Sequence, residues 1–260
     1  MEFKNLLLEK ENGVVLLTIN SPRTMNALNS EVIRELECAF YELNLDDDVK
    51  AVVLTGAGEK AFVAGADIKE MSSMTACEAL AFAKAGQRLM TLIGRMTKPV
   101  IAAVNGYALG GGLELALACD FIYASEKARL GLPEVTLGVI PGFGGTQNLS
   151  RLIGSNRAKE LALSGKMITA DKALAWGLVN ELFPPEELVA KAKECAAQIA
   201  SVCSISVGFV KDAVNSGLDM SREDGLRYEA SLFSVLFSTE DQKEGMGAFL
   251  EKRKAVFKGR

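Results

Sequence analysis

Short apolar runs ended by glycine or proline fill the first half of the chain, and apolar residues at helical spacing dominate the second. Apolar positions at Leu6 to Leu8 and Val14 to Ile19 flank Asn12-Gly13. That dipeptide favours a two-residue hairpin because both residues tolerate positive φ. After Pro22, "NSEVIRELECAFYEL" places Val32, Ile33, Leu36, Ala39, Phe40 and Leu43 on one stripe, which predicts a helix capped by Asn29 or Ser30. "KAVVLTG" (50–56) and "PVIAAVNG" (99–106) are continuous apolar runs closed by glycine, the pattern of buried strands. Between them, residues 67–96 predict a helix interrupted near Thr75. "YALGGGLELALAC" (107–119) is expected as a helix and "DFIYAS" (120–125) as a strand. Further on, 143–176 are expected as short helices, "GLVNELF" (177–183) as an isolated strand, and 185–256 as almost wholly helical. Alternating strands and helices imply an α/β core. With no repeat or linker in sight, the expected division is a core over 1–195 and a helical C-terminal region over 196–260.

Composition narrows the chemistry. The 260 residues, 49% of them hydrophobic, suffice for one large core. A net charge of −4, with no long run of lysine and arginine, argues against a nucleic-acid groove or a polybasic membrane contact. Small anions remain compatible, because local backbone geometry can bind them. The five cysteines are scattered and contain no Cys-x-x-Cys pair, which fits a reducing compartment. The polar start "MEFKNLLLEKENG" and the lack of a membrane-length apolar run add to the expectation of a soluble, cytoplasmic protein. Histidine is absent. That removes Ser-His and Cys-His arrangements and the commonest zinc ligand, and it leaves carboxylates to lead any proton transfer near neutral pH.

Two carboxylates stand out. Glu114 follows three glycines, and its helical neighbours Gly110, Gly111, Leu117 and Ala118 offer no partner charge. An acid among Leu113, Leu115, Ala116 and Leu117 is expected to be buried and to have a raised pKa. Glycines at a helix start let a ligand atom approach unpaired N–H groups, which suits an anion or a developing oxyanion. They equally permit tight packing of a helix on a sheet, and an acid in the first turn complements the helix dipole. Glu134 is the second lone acid, in the apolar loop "LGLPEVTLGVIPGFGG", where a solvated turn is the alternative. Two such acids in a chain without histidine fit a general acid/base pair. "GAGEKA" (56–61) approximates a dinucleotide fingerprint. However, "FVAGADIKE" does not continue it as an amphipathic helix, and no acid-ended second strand follows. No Walker A pattern is present.

"KAFVAGADIKEM", "KPVIAAVNGYALGGGLELALACDF", "LPEVTLGVIPGFGGTQNLSRLIG" and "FSTEDQKEGMGAFLEKRKAVF" together resemble the enoyl-CoA hydratase (crotonase) family, over essentially the whole chain. The resemblance implies an α/β spiral of β-β-α units with a helical C-terminal region. It implies an enzyme of coenzyme A-linked fatty-acid metabolism: reversible syn hydration of a short-chain trans-2-enoyl-CoA to a 3-hydroxyacyl-CoA. The thioester oxygen would be held by the N–H groups of Ala66 and Gly111. Glu114 would activate water for attack on C3, and Glu134 would deliver a proton to C2, with Gly142 near the reacting end. Ala66, Asp67, Ile68, Lys69 and Arg23 would cradle the coenzyme A portion. No metal or redox cofactor is implied. Trimers pairing into hexamers are, with Phe249 or Lys252 completing a neighbour's pocket. Leu132 departs from the pattern, since many hydratases carry glutamine there. Relatives that isomerise double bonds or hydrolyse, decarboxylate or dehalogenate thioesters keep the oxyanion loop but alter an acid, so both acids together favour hydration. RNA-binding relatives use a basic face on an early helix. The equivalent "NSEVIRELECAFYELNLDDD" is acidic, which argues against that role.

Overall fold

Asn12 and Gly13 both take positive φ, 50° and 81°, so the chain reverses where the sequence predicts. The hairpin joins β1 (Leu6–Glu11) to β2 (Val14–Ile19) in antiparallel register. The computed structural model describes residues 3–260; Met1 and Glu2, the start of the polar N-terminal stretch, lie outside the described residues. α1 (Ser30–Leu45) follows, and the Asn29 side chain accepts the Val32 N–H at 2.8 Å as its cap. All six stripe residues predicted for α1 are buried.

Three turns of one plan come next. β3 (Ala51–Gly56), β4 (Ala61–Val63), α2 (Ile68–Met71) and α3 (Ala76–Arg95) make the first. β5 (Val100–Val104), β6 (Tyr107–Leu109) and α4 (Gly111–Ala118) make the second, and β7 (Phe121–Ser125), β8 (Arg129–Gly131), α5 (Gly145–Ile153) and α6 (Ser155–Ser164) the third. In each turn the first strand joins one sheet, the second joins another, and helices return the chain. The first sheet runs β1-β2-β3-β5-β7-β10, with β10 at Glu181–Phe183, and is parallel beyond the hairpin. The second runs β4-β6-β8-β9, with β9 at Met167–Thr169. This is the expected α/β spiral of β-β-α units. α7 (Ala170–Ala175), α8 (Leu188–Ala200), α9 (Ser204–Gly217), α10 (Arg222–Leu236) and α11 (Glu240–Leu250) complete it as the helical C-terminal region.

Alternation along β3 and β5 explains their unbroken apolar sequence. Val52, Leu54, Val100, Ala102 and Val104 face the main core, while Ala51, Val53, Ile101 and Ala103 meet Leu188, Ala192 and Ala196 of α8. The 195/196 division therefore falls inside a helix that packs on the sheet. α9 is tied to the core by Lys211, which is buried and donates to Asp120 Oδ2 at 2.9 Å and to the Ile93 carbonyl at 3.1 Å.

Three expectations need correction. Tyr107–Leu109 is a strand, and the helix begins only at Gly111. β10 is not isolated but pairs in parallel with β7. Met167–Thr169 is a strand within a stretch expected to be helical. The break near Thr75 has a local cause: its hydroxyl accepts the Glu78 N–H while the Glu78 carboxylate accepts the Thr75 N–H. No single helix among the described residues is long and apolar enough to cross a membrane; α8 and α9 pass that test only together and are bent by 107°.

Candidate active site

The three glycines have three separate tasks. Gly110 turns the chain from β6 into α4 with φ 50° and ψ −123°, a conformation only glycine adopts readily. Gly111 opens α4, so its N–H is one of the unpaired donors at the positive end of the helix. Gly112 presses on β4: a Cβ there would lie 2.0 Å from the Val63 carbonyl oxygen.

A second donor arrives from the loop after β4. Leu28 N–H donates to the Gly65 carbonyl and Asp67 N–H to the Leu28 carbonyl, each at 2.8 Å. Pairing of this kind turns the intervening N–H of Ala66 to the opposite side. A Cβ built on Gly111 would lie 3.5 Å from Ala66 N, so the two residues are close neighbours. Neither donates to an acceptor among the described residues.

Glu114 sits in the first turn of α4, 1% exposed. Its Oε1 accepts the N–H groups of Phe143 at 2.8 Å and Gly145 at 2.7 Å. Burial pushes its carboxyl up to about 7; the nearby charge of Glu134 acts in the same direction, and the loop amides, Gly145 foremost, pull it back. Glu134 opens a 3-10 turn, Glu134–Leu137, and burial raises its pKa as well. Its Oε2 is buried without a hydrogen-bond partner, while a Cβ on Gly110 would lie 2.8 Å from its Oε1. The second carboxylate thus lies against Gly110, beside the start of α4, and carries an unsatisfied acceptor, which costs stability unless a ligand or water meets it. Two largely buried carboxyls whose pKa values are raised by burial are suited to proton transfer.

The remaining predicted residues differ in where they lie. Gly142 lies in the loop that reaches Glu114, and its carbonyl accepts from Gln87 Nε2 at 2.9 Å. Asp67 caps α2, its Oδ1 accepting from Lys69 N–H at 2.8 Å and Glu70 N–H at 3.2 Å, so its side chain orders the turn that follows Ala66. Ile68 is 58% exposed and Lys69 is exposed; Arg23 is exposed in the 3-10 turn Pro22–Thr24. Leu132 is buried in the main core. Phe249 and Lys252 lie on the surface at the end of α11, Phe249 82% exposed. A surface concavity of about 540 Å³ between the hairpin and α1, lined by Phe3, Leu8, Lys10 and Glu42 among others, contains none of these groups.

Two features escaped the sequence reading. The amides of Phe143 and Gly145 hold Glu114, and the glycine-punctuated "PGFGG" was the available signal. Asn26 is fully buried with φ 59°; it accepts from Ser21 N–H and donates to the carbonyls of Ala57 and Ala61, joining the Arg23 turn to the loop between β3 and β4. Neither has a charge to mark it.

Comparison with known proteins gives a consistent result. The family described as Enoyl-CoA hydratase/isomerase matches residues 9–260. A short-chain-enoyl-CoA hydratase of Clostridium acetobutylicum is 50% identical over 98% of this chain and 97% of the relative. A crotonyl-CoA hydratase of Syntrophomonas wolfei is 48% identical over 99% of both. The crystal structure of an enoyl-CoA hydratase from Bacillus anthracis superposes with a TM-score of 0.96 at 42% identity, covering 99% of this chain and 100% of that one. With family, relatives and fold in agreement, the chain belongs to the enoyl-CoA hydratase/isomerase family.

Proposed function

We propose that this enzyme is a short-chain enoyl-CoA hydratase that adds water reversibly across the double bond of a trans-2-enoyl-CoA. The thioester oxygen accepts from Ala66 and Gly111, close neighbours whose N–H groups have no acceptor among the described residues and suit the charge that develops there as water attacks. Ionised Glu114 removes a proton from the water as its oxygen bonds to C3. Protonated Glu134 then delivers a proton to C2, collapsing the enolate to the 3-hydroxyacyl thioester. The observation that carries this reading is geometric: Glu114 is buried in the first turn of α4, and Glu134 lies with its Oε1 against Gly110, at the start of the same helix, and its Oε2 without a partner. An isomerase moves one proton between carbons, whereas hydration needs an acid and a base at once.

Addition of water is redox-neutral, and the amides supply the polarisation, so the reaction runs without a metal or redox cofactor. Asp67, Ile68 and Lys69, which follow Ala66 in the chain, and the exposed Arg23 would hold the pantetheine and phosphates of coenzyme A. Phe233, Phe249 and Leu250, all exposed, suit a trimeric or hexameric interface in which Phe249 or Lys252 completes a neighbour's pocket. The test is loss of the conjugated thioester absorbance of crotonyl-CoA on adding the purified protein, with the product identified by chromatography. 3-Hydroxybutyryl-CoA is expected. A thioester with a shifted double bond would replace the reading with isomerisation.

A further inference from the structure

Glu114 depends on a loop, and the loop depends on α3. Gly142 to Gly145 supply the two amides that meet Glu114 Oε1, yet glycines on both sides of Phe143 leave the segment little side-chain anchorage of its own. The anchorage lies in Phe143. Its ring is 4% exposed, packs on Phe82 at 5.2 Å between centroids, and reaches the oxyanion glycine, where a Cβ on Gly111 would be 3.3 Å away. On its other side it fills the place of a missing side chain: a Cβ on Gly86 would lie 2.1 to 2.4 Å from three of its ring carbons. One residue along α3, Gln87 Nε2 donates to the Gly142 carbonyl at 2.9 Å.

We propose that Gly86 and Gln87 of α3 are positioning residues for Glu114, acting through a Phe143 ring that is wedged between α3 and the start of α4. The inference rests on the reading of Glu114 as the catalytic base. Gly86 leaves the slot, the ring sets the depth of the loop, and Gln87 fixes its carbonyl side. Together they present the Phe143 and Gly145 amides to Oε1, which leaves Oε2 of Glu114 for the water. Glu134 is the titratable group whose ionisation state acts on Glu114. The loop (Pro141, Gly142, Phe143, Gly144), the α3 face beneath it (Phe82, Ala83, Gly86, Gln87) and the start of α5 (Gly145, Thr146, Gln147) carry no charge. Loosening the loop therefore weakens hydrogen bonds that favour the ionised carboxylate, without adding or removing a charge.

The experiment compares Gly86→Ala, Gln87→Ala, Phe143→Ala and the double variant Gly86→Ala/Phe143→Ala on crotonyl-CoA across pH, with Glu114→Gln as control. The expected result for Gly86→Ala is a fall in kcat of about tenfold or more with KM within about twofold, since a misplaced base affects the transition state more than binding. The acidic limb of its profile moves upward by about half a pH unit or more, because carboxylate-favouring hydrogen bonds are lost. Gln87→Ala alters an exposed side chain and gives a smaller change in the same sense. In the Phe143→Ala background, Gly86→Ala has no further effect, because the methyl then enters the space the ring has left. Unchanged kcat and limb in folded Gly86→Ala and Gln87→Ala would overturn the inference, as would a full Gly86→Ala penalty without the ring. Should Gly86→Ala fail to fold, Gln87→Ala decides alone, and an unchanged profile overturns it. An active Glu114→Gln enzyme would instead remove the base itself; an inactive Glu114→Gln beside an unperturbed Gln87→Ala removes only the positioning role.

Discussion

Glu114→Gln should make the protein inactive and, at alkaline pH, more stable. The carboxyl ionises near its ordinary 4.5 in the unfolded chain but only at about 7 in the fold, because burial disfavours the charge and Glu134 lies nearby. Between those values the folded state holds a proton that the unfolded state has released, so stability falls as pH rises from about 4.5 to about 7 and is level above. Each pH unit in that window is worth about 1.4 kcal/mol, so the ionised carboxylate costs the fold about 3 kcal/mol at pH 8. Glutamine keeps an oxygen for the Phe143 and Gly145 N–H groups and carries no charge. Urea unfolding of parent and variant, at one fixed protomer concentration because assembly also stabilises, measures the difference. The variant should gain less than about 1 kcal/mol at pH 5 and about 3 kcal/mol at pH 8, roughly a 1 M rise in midpoint for an m-value near 3 kcal/mol/M. An equal difference at both pH values would refute the reasoning, since no pH-dependent cost would then reside at Glu114. A variant destabilised at pH 8 would show that the carboxylate stabilises the fold.

Other outcomes follow from the same geometry. Gly112→Ala places a methyl 2.0 Å from the Val63 carbonyl, backbone against backbone, and should cost at least about 3 kcal/mol in a urea titration. Lys211→Met leaves the Asp120 carboxylate, its side chain 18% exposed, without its cation, and the same titration should show a loss of about 1–3 kcal/mol at pH 8. Phe249→Asp puts a charge in place of the single, exposed aromatic of α11, and sedimentation should show smaller species than the parent gives.

Long periodic stretches were legible because their pattern follows from burial on one face. The α1 stripe and its Asn29 cap, the hairpin at Asn12-Gly13 and the buried strands β3, β5 and β7 all appeared as the sequence predicts. The second sheet did not. β4, β6, β8 and β9 have three residues each, too few for an alternation to register, and β6 runs straight into the glycines of α4. Glu114 and Glu134 were legible as lone acids in apolar surroundings, and the structure brings both to the same glycine turn. What held them was not. Backbone amides of a glycine loop, and a glycine on α3 that is small because a phenylalanine 57 positions later fills its space, become visible only when the chain is folded.

The central claim is that one buried carboxylate takes a proton from water while its neighbour gives one to carbon. Initial rates of crotonyl-CoA absorbance loss with the parent, Glu114→Gln and Glu134→Gln, at saturating substrate and with folding checked by circular dichroism, test it most directly. Rapid loss with the parent and a fall in kcat of at least about a hundredfold in each variant is the predicted result. A folded variant of either residue with kcat within a few-fold of the parent would contradict it.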